Sequence, residues 1–250
     1  MLLTGRPAYR INQYLVDDVL IDAGPPGLTR RLLRDLGGRP LSAHALTHGH
    51  PDHYGSSRAL TERLGAPTWC PAGDAEAVRT RRLPHSNHPL GRLMGRMPAP
   101  PPPAIARALH EGDEVTGFRV LDTPGHSPGH VSYWREADRV LIVGDVLFNI
   151  EPLSGRVGLR EPPVALTVDP ARNRDAIRRL AALEPEIALF GHGPPLRDPA
   201  ALSAFAASLA AEKSFEQLEH ALGRPGRARP AHRARRSGAE AARGARRGAR

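Results

Sequence analysis

Thr47-His48-Gly49-His50-Pro51-Asp52-His53 sets three histidines and an aspartate in the pattern H-x-H-x-D-H, at the end of an apolar stretch, Ala45 to Thr47, that reads as a strand. At this chain's residue frequencies the pattern would arise in roughly one protein of this length in a thousand, so composition does not explain it. In extended chain, residues i and i+2 point to one side, and His48 and His50 can present two imidazoles to one ion. Pro51 then turns the backbone and directs Asp52 and His53 to a second position close by. Imidazole nitrogen and carboxylate oxygen suit zinc, with iron or manganese as other occupants.

Three later strand ends supply what this segment lacks. Thr123-Pro124-Gly125-His126 follows the run Phe118 to Leu121, Gly144-Asp145 follows Val140 to Val143, and Gly191-His192-Gly193 follows Ile187 to Phe190. Each sets one candidate ligand in a glycine-containing turn just after an apolar strand. Four strand ends thus carry seven candidate ligands, the number that two adjacent metal ions need.

Around these ends strands and helices interleave. Ile11 to Val16 and Val19 to Asp22 read as a strand pair broken at Asp17-Asp18, and Leu28, Leu32, Leu33 and Leu36 fall at helical spacing before Gly37-Gly38. Ser57 to Leu64 reads as a helix, and Thr68 to Cys70 and Val131 to Trp134 as further strands. Asp169-Pro170 and Asp198-Pro199 are cap-and-start signals for two helices, the second continuing through Phe215, Leu218 and Leu222. The interleaving predicts α/β layers. Residues 80 to 104 and 149 to 168 do not fit it, and such long loops are commonly functional.

The series THGHPDH, TPGH, GD and GHG, in this order, resembles the metallo-β-lactamase superfamily over residues 12 to 193, and Asp22 in Leu20-Ile21-Asp22-Ala23-Gly24 is similar to that superfamily's first motif. The resemblance implies a four-layer αββα sandwich with the site at one edge between two sheets. Carried over by position, it implies that His48, His50 and His126 bind one metal and Asp52, His53 and His192 the other, with Asp145 bridging both. It further implies a dinuclear metal-dependent hydrolase with two divalent ions, zinc before iron or manganese. A metal-bridging hydroxide would attack a small thioester, lactone or related ester, and Asp52 would be the catalytic residue that orients it. His130 would support the ligands through hydrogen bonds.

Departures from individual families narrow that expectation. Zinc β-lactamases with a cysteine ligand carry it where this chain has Asp145, and those with an H-x-H-x-D-H motif typically lack the bridging aspartate, so β-lactam hydrolysis is disfavoured. Glyoxalase II resembles this ligand set but ends in a basic helical domain, whereas here one helix and an arginine-rich tail follow His192. A superfamily nuclease and a mononuclear iron persulfide dioxygenase are the alternatives.

Composition bounds the rest. The 250 residues have a formal net charge of +9, but residues 221–250 alone hold ten Arg against Glu240, which leaves residues 1–220 balanced. After Leu222 the chain has no large apolar residue and predicts disorder. The expected domains are therefore a hydrolase domain over 1–222 and an Arg/Ala/Gly-rich tail over 223–250. That tail could bind nucleic acid weakly, but no aromatic interleaves it, and nucleic acid is not favoured over a small-molecule substrate. A single cysteine, Cys70, excludes an internal disulfide or a zinc finger and reads as a core residue. No apolar run approaches a membrane span, so a soluble cytoplasmic protein is expected. His44, His85, His88, His110, His220 and His232 read as structural or solvated. Substrate choice is assigned to the loops at 80–104 and 149–168, with Tyr54, Asn87, Arg92 and Arg96 as candidate contacts.

Overall fold

Val19-Leu20-Ile21 points successive side chains to opposite faces of a strand, and both faces are buried: Val19 and Ile21 join one apolar cluster and Leu20 another. The division recurs later in the chain, where Val140 and Ile142 join the first cluster and Leu141 and Val143 a third. Strands buried on both faces belong to the middle layers of a sandwich. The computed structural model describes residues 10–82 and 84–209, and of residues 2–4 the backbone.

One sheet sets β1 (Leu2–Thr4), β2 (Asn12–Val16), β3 (Val19–Ile21), β4 (Ala43–Ala45), β5 (Thr68–Pro71) and β6 (Ile105–Leu109) side by side, antiparallel up to β3 and parallel beyond it. β7 (Glu114–Val115), β8 (Phe118–Asp122), β9 (Val131–Arg135) and β10 (Val140–Gly144) form an antiparallel meander. A hairpin of β11 (Phe148–Ile150) and β12 (Val157–Arg160) follows, and β13 (Ile187–Phe190) then completes the second sheet parallel to β10.

Val19, Ile21, Ala43, Ala45 and Leu109 of the first sheet meet Phe118, Val120, Tyr133 and Ile142 of the second in one cluster between the sheets. Outside the first sheet, α1 (Thr29–Leu36) and α3 (Ser57–Leu64) cover Leu15 and Leu20 with Leu32, Leu36 and Leu60. Outside the second, α6 (Pro170–Ala181) and the helical residues 199–209 cover Leu141, Val143 and Phe190 with Ile177, Leu180, Leu202 and Leu209. The order is helix, sheet, sheet, helix, the αββα sandwich expected.

Local differences from the sequence reading have identifiable causes. The strand expected at Ala45 to Thr47 is Ala43–Ala45, because the Thr47 N–H donates to Asp22 Oδ1 at 2.8 Å instead of extending the ladder. The stretch 80–104 contains α5 (Pro89–Met94), with Pro89 in its first turn and His88 Nδ1 accepting from the Leu90 N–H. Similarly, 149–168 contains most of the β11–β12 hairpin. α4 (Ala72–Thr80) buries only Asp74, Ala75 and Val78, too little apolar surface for a helical period to be read. Phe215, Leu218, Leu222 and the expected boundary at 222 lie outside the described residues.

His44 on β4 is fully buried, its Nδ1–H donating to Leu20 O at 3.1 Å and its Nε2 lying 2.8 Å from Ser57 Oγ. Burial pushes its pKa from 6.5 down to about 4. The unfolded chain therefore binds the proton first, and His44's contribution is fully present above pH 6.5 and lost as pH falls toward 4. The whole loss is roughly 3 kcal/mol. Urea unfolding of His44→Asn, which keeps a donor for Leu20 O, should show a shallower fall in stability across that window than the parent; parallel slopes would refute the assignment.

Candidate metal centre

The sequence-predicted donors all follow strand ends. His48 and His50 come after β4, α2 (Pro51–Tyr54) carries Asp52 and His53, His126 lies in the turn after β8, Asp145 follows β10 and His192 follows β13. β4 belongs to the first sheet and the other three strands to the second, so the donors meet at one edge between the sheets. α2 starts at Pro51 because a proline fits the first helical position, where its missing N–H has no partner to lose. Across this edge Asn12 Nδ2 donates to Phe190 O and Gly193 O at 2.9 and 2.7 Å, Tyr14 OH to Phe190 O at 2.6 Å, and Tyr133 OH to Leu46 O at 2.5 Å.

The seven side chains converge. His50 Nδ1 is 3.0 Å from His48 Nε2 and 2.9 Å from His126 Nε2. Asp52 Oδ2 is 3.4 Å from His192 Nε2 and 3.8 Å from His53 Nε2. Between these groups lies Asp145 Oδ2, at 3.2 Å from His192 Nε2, 3.3 Å from His53 Nε2, 3.5 Å from His126 Nε2 and 3.9 Å from His48 Nε2. Three sets of donor atoms can each close on a cation: His48, His50 and His126; His48, His53 and Asp145; and Asp52, His53 and His192.

The donors fit a metal better than they fit one another. His53 Nε2 and Asp145 Oδ1 are buried with no hydrogen-bond partner, which costs stability unless something polar meets them. Ligands on a tetrahedral ion with bonds of about 2.0–2.1 Å stand roughly 3.3 Å apart, close to the spacings here.

His53, His48, His50 and His192 are each aimed from behind. His53 Nδ1–H donates to Asp22 Oδ2 at 2.9 Å, His48 Nδ1 meets Thr47 Oγ1 at 3.0 Å, and the Thr47 hydroxyl in turn donates to Asp22. His50 Nε2–H donates to Pro84 O at 3.2 Å and His192 Nδ1–H to Arg10 O. These bonds leave the other ring nitrogen facing the centre. His130 Nε2 accepts the Asp145 N–H at 2.9 Å, and burial holds its pKa down at about 3.

Asp74 on α4 was missed by the sequence reading. Its carboxylate accepts from Gly49 N at 2.8 Å, Ser127 Oγ at 2.5 Å and Gly129 N at 2.7 Å, joining the turn that holds His48 and His50 to the turn that holds His126. Nothing in Ala72-Gly73-Asp74-Ala75 distinguishes it from a surface helix. Asp74→Asn turns an amide toward donors, and metal affinity should fall about 10- to 100-fold; competition with a chromophoric chelator measures this, and unchanged affinity would dismiss the clamp.

The charge pattern follows the same division. Burial, reinforced by neighbouring imidazoles, keeps His48 and His126 neutral. Burial also opposes charge on His192, yet the Asp145 and Asp52 carboxylates raise its pKa to about 10, and Asp145 with Asp22 likewise raises His53. Against desolvation, His53 and His192 hold Asp52 below the ordinary carboxylate range, and the same two imidazoles hold down Asp145.

A cavity of about 410 Å³ opens above the donors, with His50, Asp52, His126, Asp145 and His192 as its floor. A larger concavity of about 630 Å³, at Tyr14, Phe118 and Ile142, contains no histidine. The expected contacts Tyr54, Asn87, Arg92 and Arg96 do not line the site cavity: Tyr54 is buried beside Leu46 and Cys70, and Arg92 turns back onto Asn87 O. His85 lines it instead.

The sequence profile of the metallo-beta-lactamase superfamily matches residues 6–192. The chain belongs to that superfamily. It is 31% identical over 208 residues to the Bacillus subtilis (strain 168) protein named "Probable metallo-hydrolase YflN", covering 71% of this chain and 76% of that one. Over 136 residues it is 29% identical to a Bdellovibrio bacteriovorus protein named hydroxyacylglutathione hydrolase, covering 53% of this chain and 44% of that one. Among solved structures, TTHA1623 in a di-iron-bound form superposes with a TM-score of 0.59 at 33% identity, covering 79% of this chain and 94% of that chain. This superfamily member is a metal-dependent hydrolase, and no helix among its described residues is long and apolar enough to cross a membrane.

Proposed function

We propose that the chain is a dinuclear hydrolase of small thioesters, lactones or related esters, with His48, His50 and His126 holding one divalent cation, Asp52, His53 and His192 the other, and Asp145 shared by both. The observation that carries this reading is the position of Asp145 Oδ2, within 3.2 to 3.9 Å of four imidazole nitrogens drawn from both groups. Zinc, iron and manganese all suit seven nitrogen and oxygen donors. When bound, such a pair of cations supplies Lewis acidity toward a carbonyl oxygen and lowers the pKa of water toward neutrality.

The chain's own residues do the rest. Asp22, Thr47, His130 and Asp74 hold the donors in place, so little reorganisation is needed during reaction. Asp52, whose side chain is 39% exposed and faces the cavity, uses its carboxylate to orient the attacking water. The water oxygen bonds to the carbonyl carbon, the C–S or C–O bond breaks, and the thiol or alcohol leaves carrying one of the two protons of the attacking water. Purified protein should contain close to two metal ions per chain and hydrolyse neutral thioesters. One iron per chain with oxygen consumption on a persulfide would replace this reading by a dioxygenase.

A further inference from the structure

The walls of the cavity bear on which carbonyl compound the site accepts, given the hydrolase reading above. Over the His and Asp floor the wall is built by Pro84, Met94, Met97, Phe148, Pro163 and Leu166. Apart from the floor, His85 is the one titratable side chain in the lining, and no Lys or Arg of the described residues contributes to it. The large apolar side chains that the described residues leave exposed, Leu90, Leu93, Met97, Leu153, Val157 and Val164, all sit on the two segments that form most of these walls, 84–98 and 149–166. Those segments are fastened together, Ser86 Oγ donating to Ala165 O at 2.8 Å. α5 approaches so closely there that a Cβ on Gly91 would stand 2.5 Å from Ala165 O.

Such a wall sorts ligands by charge. A carboxylate or phosphate seated against it gives up hydration and meets no Lys or Arg of the described lining in return, whereas an apolar group gains burial worth up to about fourfold in affinity per methylene. Its size, at the lower end of the roughly 300–1,000 Å³ range of ligand pockets, suits a small molecule. We infer that the site takes uncharged esters, thioesters or lactones whose acyl part is an apolar chain or ring seated between α5 and the turn at 163–166, and discriminates against substrates bearing carboxylates or phosphates away from the reacting bond. Glutathione thioesters, with two free carboxylates, fall on the rejected side, which separates this chain from its relatives named hydroxyacylglutathione hydrolase.

The test uses the metal-loaded full chain and N-acetylcysteamine thioesters from acetyl to decanoyl, with decanoylglutathione as the charged counterpart. kcat/KM should rise with chain length, by up to about fourfold per methylene until the cavity fills, and decanoylglutathione should be at least about tenfold poorer than the neutral decanoyl thioester. Met94→Lys, at a half-buried position, should flatten the series and narrow the glutathione penalty. A flat series in the parent, or equal or better turnover of decanoylglutathione, would overturn the inference while leaving the hydrolase reading intact. Binding gives the converse separation. If no thioester is turned over, displacement of Nile red by decanamide but not by acetamide, weakened in Met94→Lys, upholds the apolar site and removes the hydrolase reading. Equal displacement by the two amides, or no Nile red binding, overturns the inference.

Discussion

Asp145→Ala should lower turnover on the order of 10³-fold or more and leave less than the full complement of metal bound. The substitution removes the oxygen that stands between the two donor groups, within 3.2 Å of His192 Nε2 and 3.5 Å of His126 Nε2. It also takes away the negative charge that four neighbouring imidazoles face. Losing one well-placed electrostatic group at a reacting centre commonly costs about 10²–10³-fold, and a ligand shared by two cations carries more than one such role. Asp145→Asn should be nearly as damaging, because it keeps the volume and the backbone N–H bond to His130 but loses the charge. Metal content by atomic emission, read beside kcat on a neutral thioester, checks both variants. A variant that keeps a tenth of the parent's turnover at saturating metal would show that Asp145 does not bridge.

Gly191→Ala should act nearly as strongly through one added methyl group. An ideal Cβ there would lie 2.0 Å from Asp145 Oδ1 and 2.8 Å from His53 Cε1, so two of the proposed ligands would have to move. Neither has slack: His53 is tied to Asp22 at 2.9 Å, and Asp145 follows directly on β10. Metal affinity should drop on the order of 10²-fold. Gly27→Ala is the control, because a Cβ at Gly27 meets nothing within 4 Å, and it should bind metal as the parent does. Equal affinity of the two variants would mean that the approach of β13's end to the donors has no functional weight.

The donor set was legible because it is written locally. H-x-H-x-D-H compresses four donors into six residues, and the other three stand next to glycines at the ends of apolar runs, so strand reading and donor spotting support one another. The two sheets were legible for a similar reason, since Val19-Leu20-Ile21 and Val140 to Val143 are apolar on both faces. What could not be read depends on contacts between distant segments. Asp74 lies 25 residues from Gly49 and 53 from Ser127 along the chain, and only the folded backbone brings their donors to its carboxylate. α5 is six residues with one buried position, so its helical form follows from Pro89, the His88 cap and the Gly91 approach to Ala165 rather than from periodicity. Arg92 and Arg96, candidate substrate contacts by their place in the loop at 80–104, sit on the segment that walls the cavity yet take no part in its lining.

The hydrogen bonds at Pro84 and Ala165 have a further consequence. Donors and cavity walls are drawn from different parts of the chain: the sheets deliver the imidazoles and carboxylates, while the connections at 84–98 and 149–166 supply most of the enclosure. Those connections can change in composition and length without moving a proposed ligand, except where the two parts touch. His50 Nε2 rests on Pro84 O at 3.2 Å, and Ser86 fastens one connection to the other at Ala165. On the proposed reading, an exchange of either segment with a relative should transfer substrate preference and leave the reaction chemistry behind, provided that the backbone at Pro84 keeps its carbonyl facing His50.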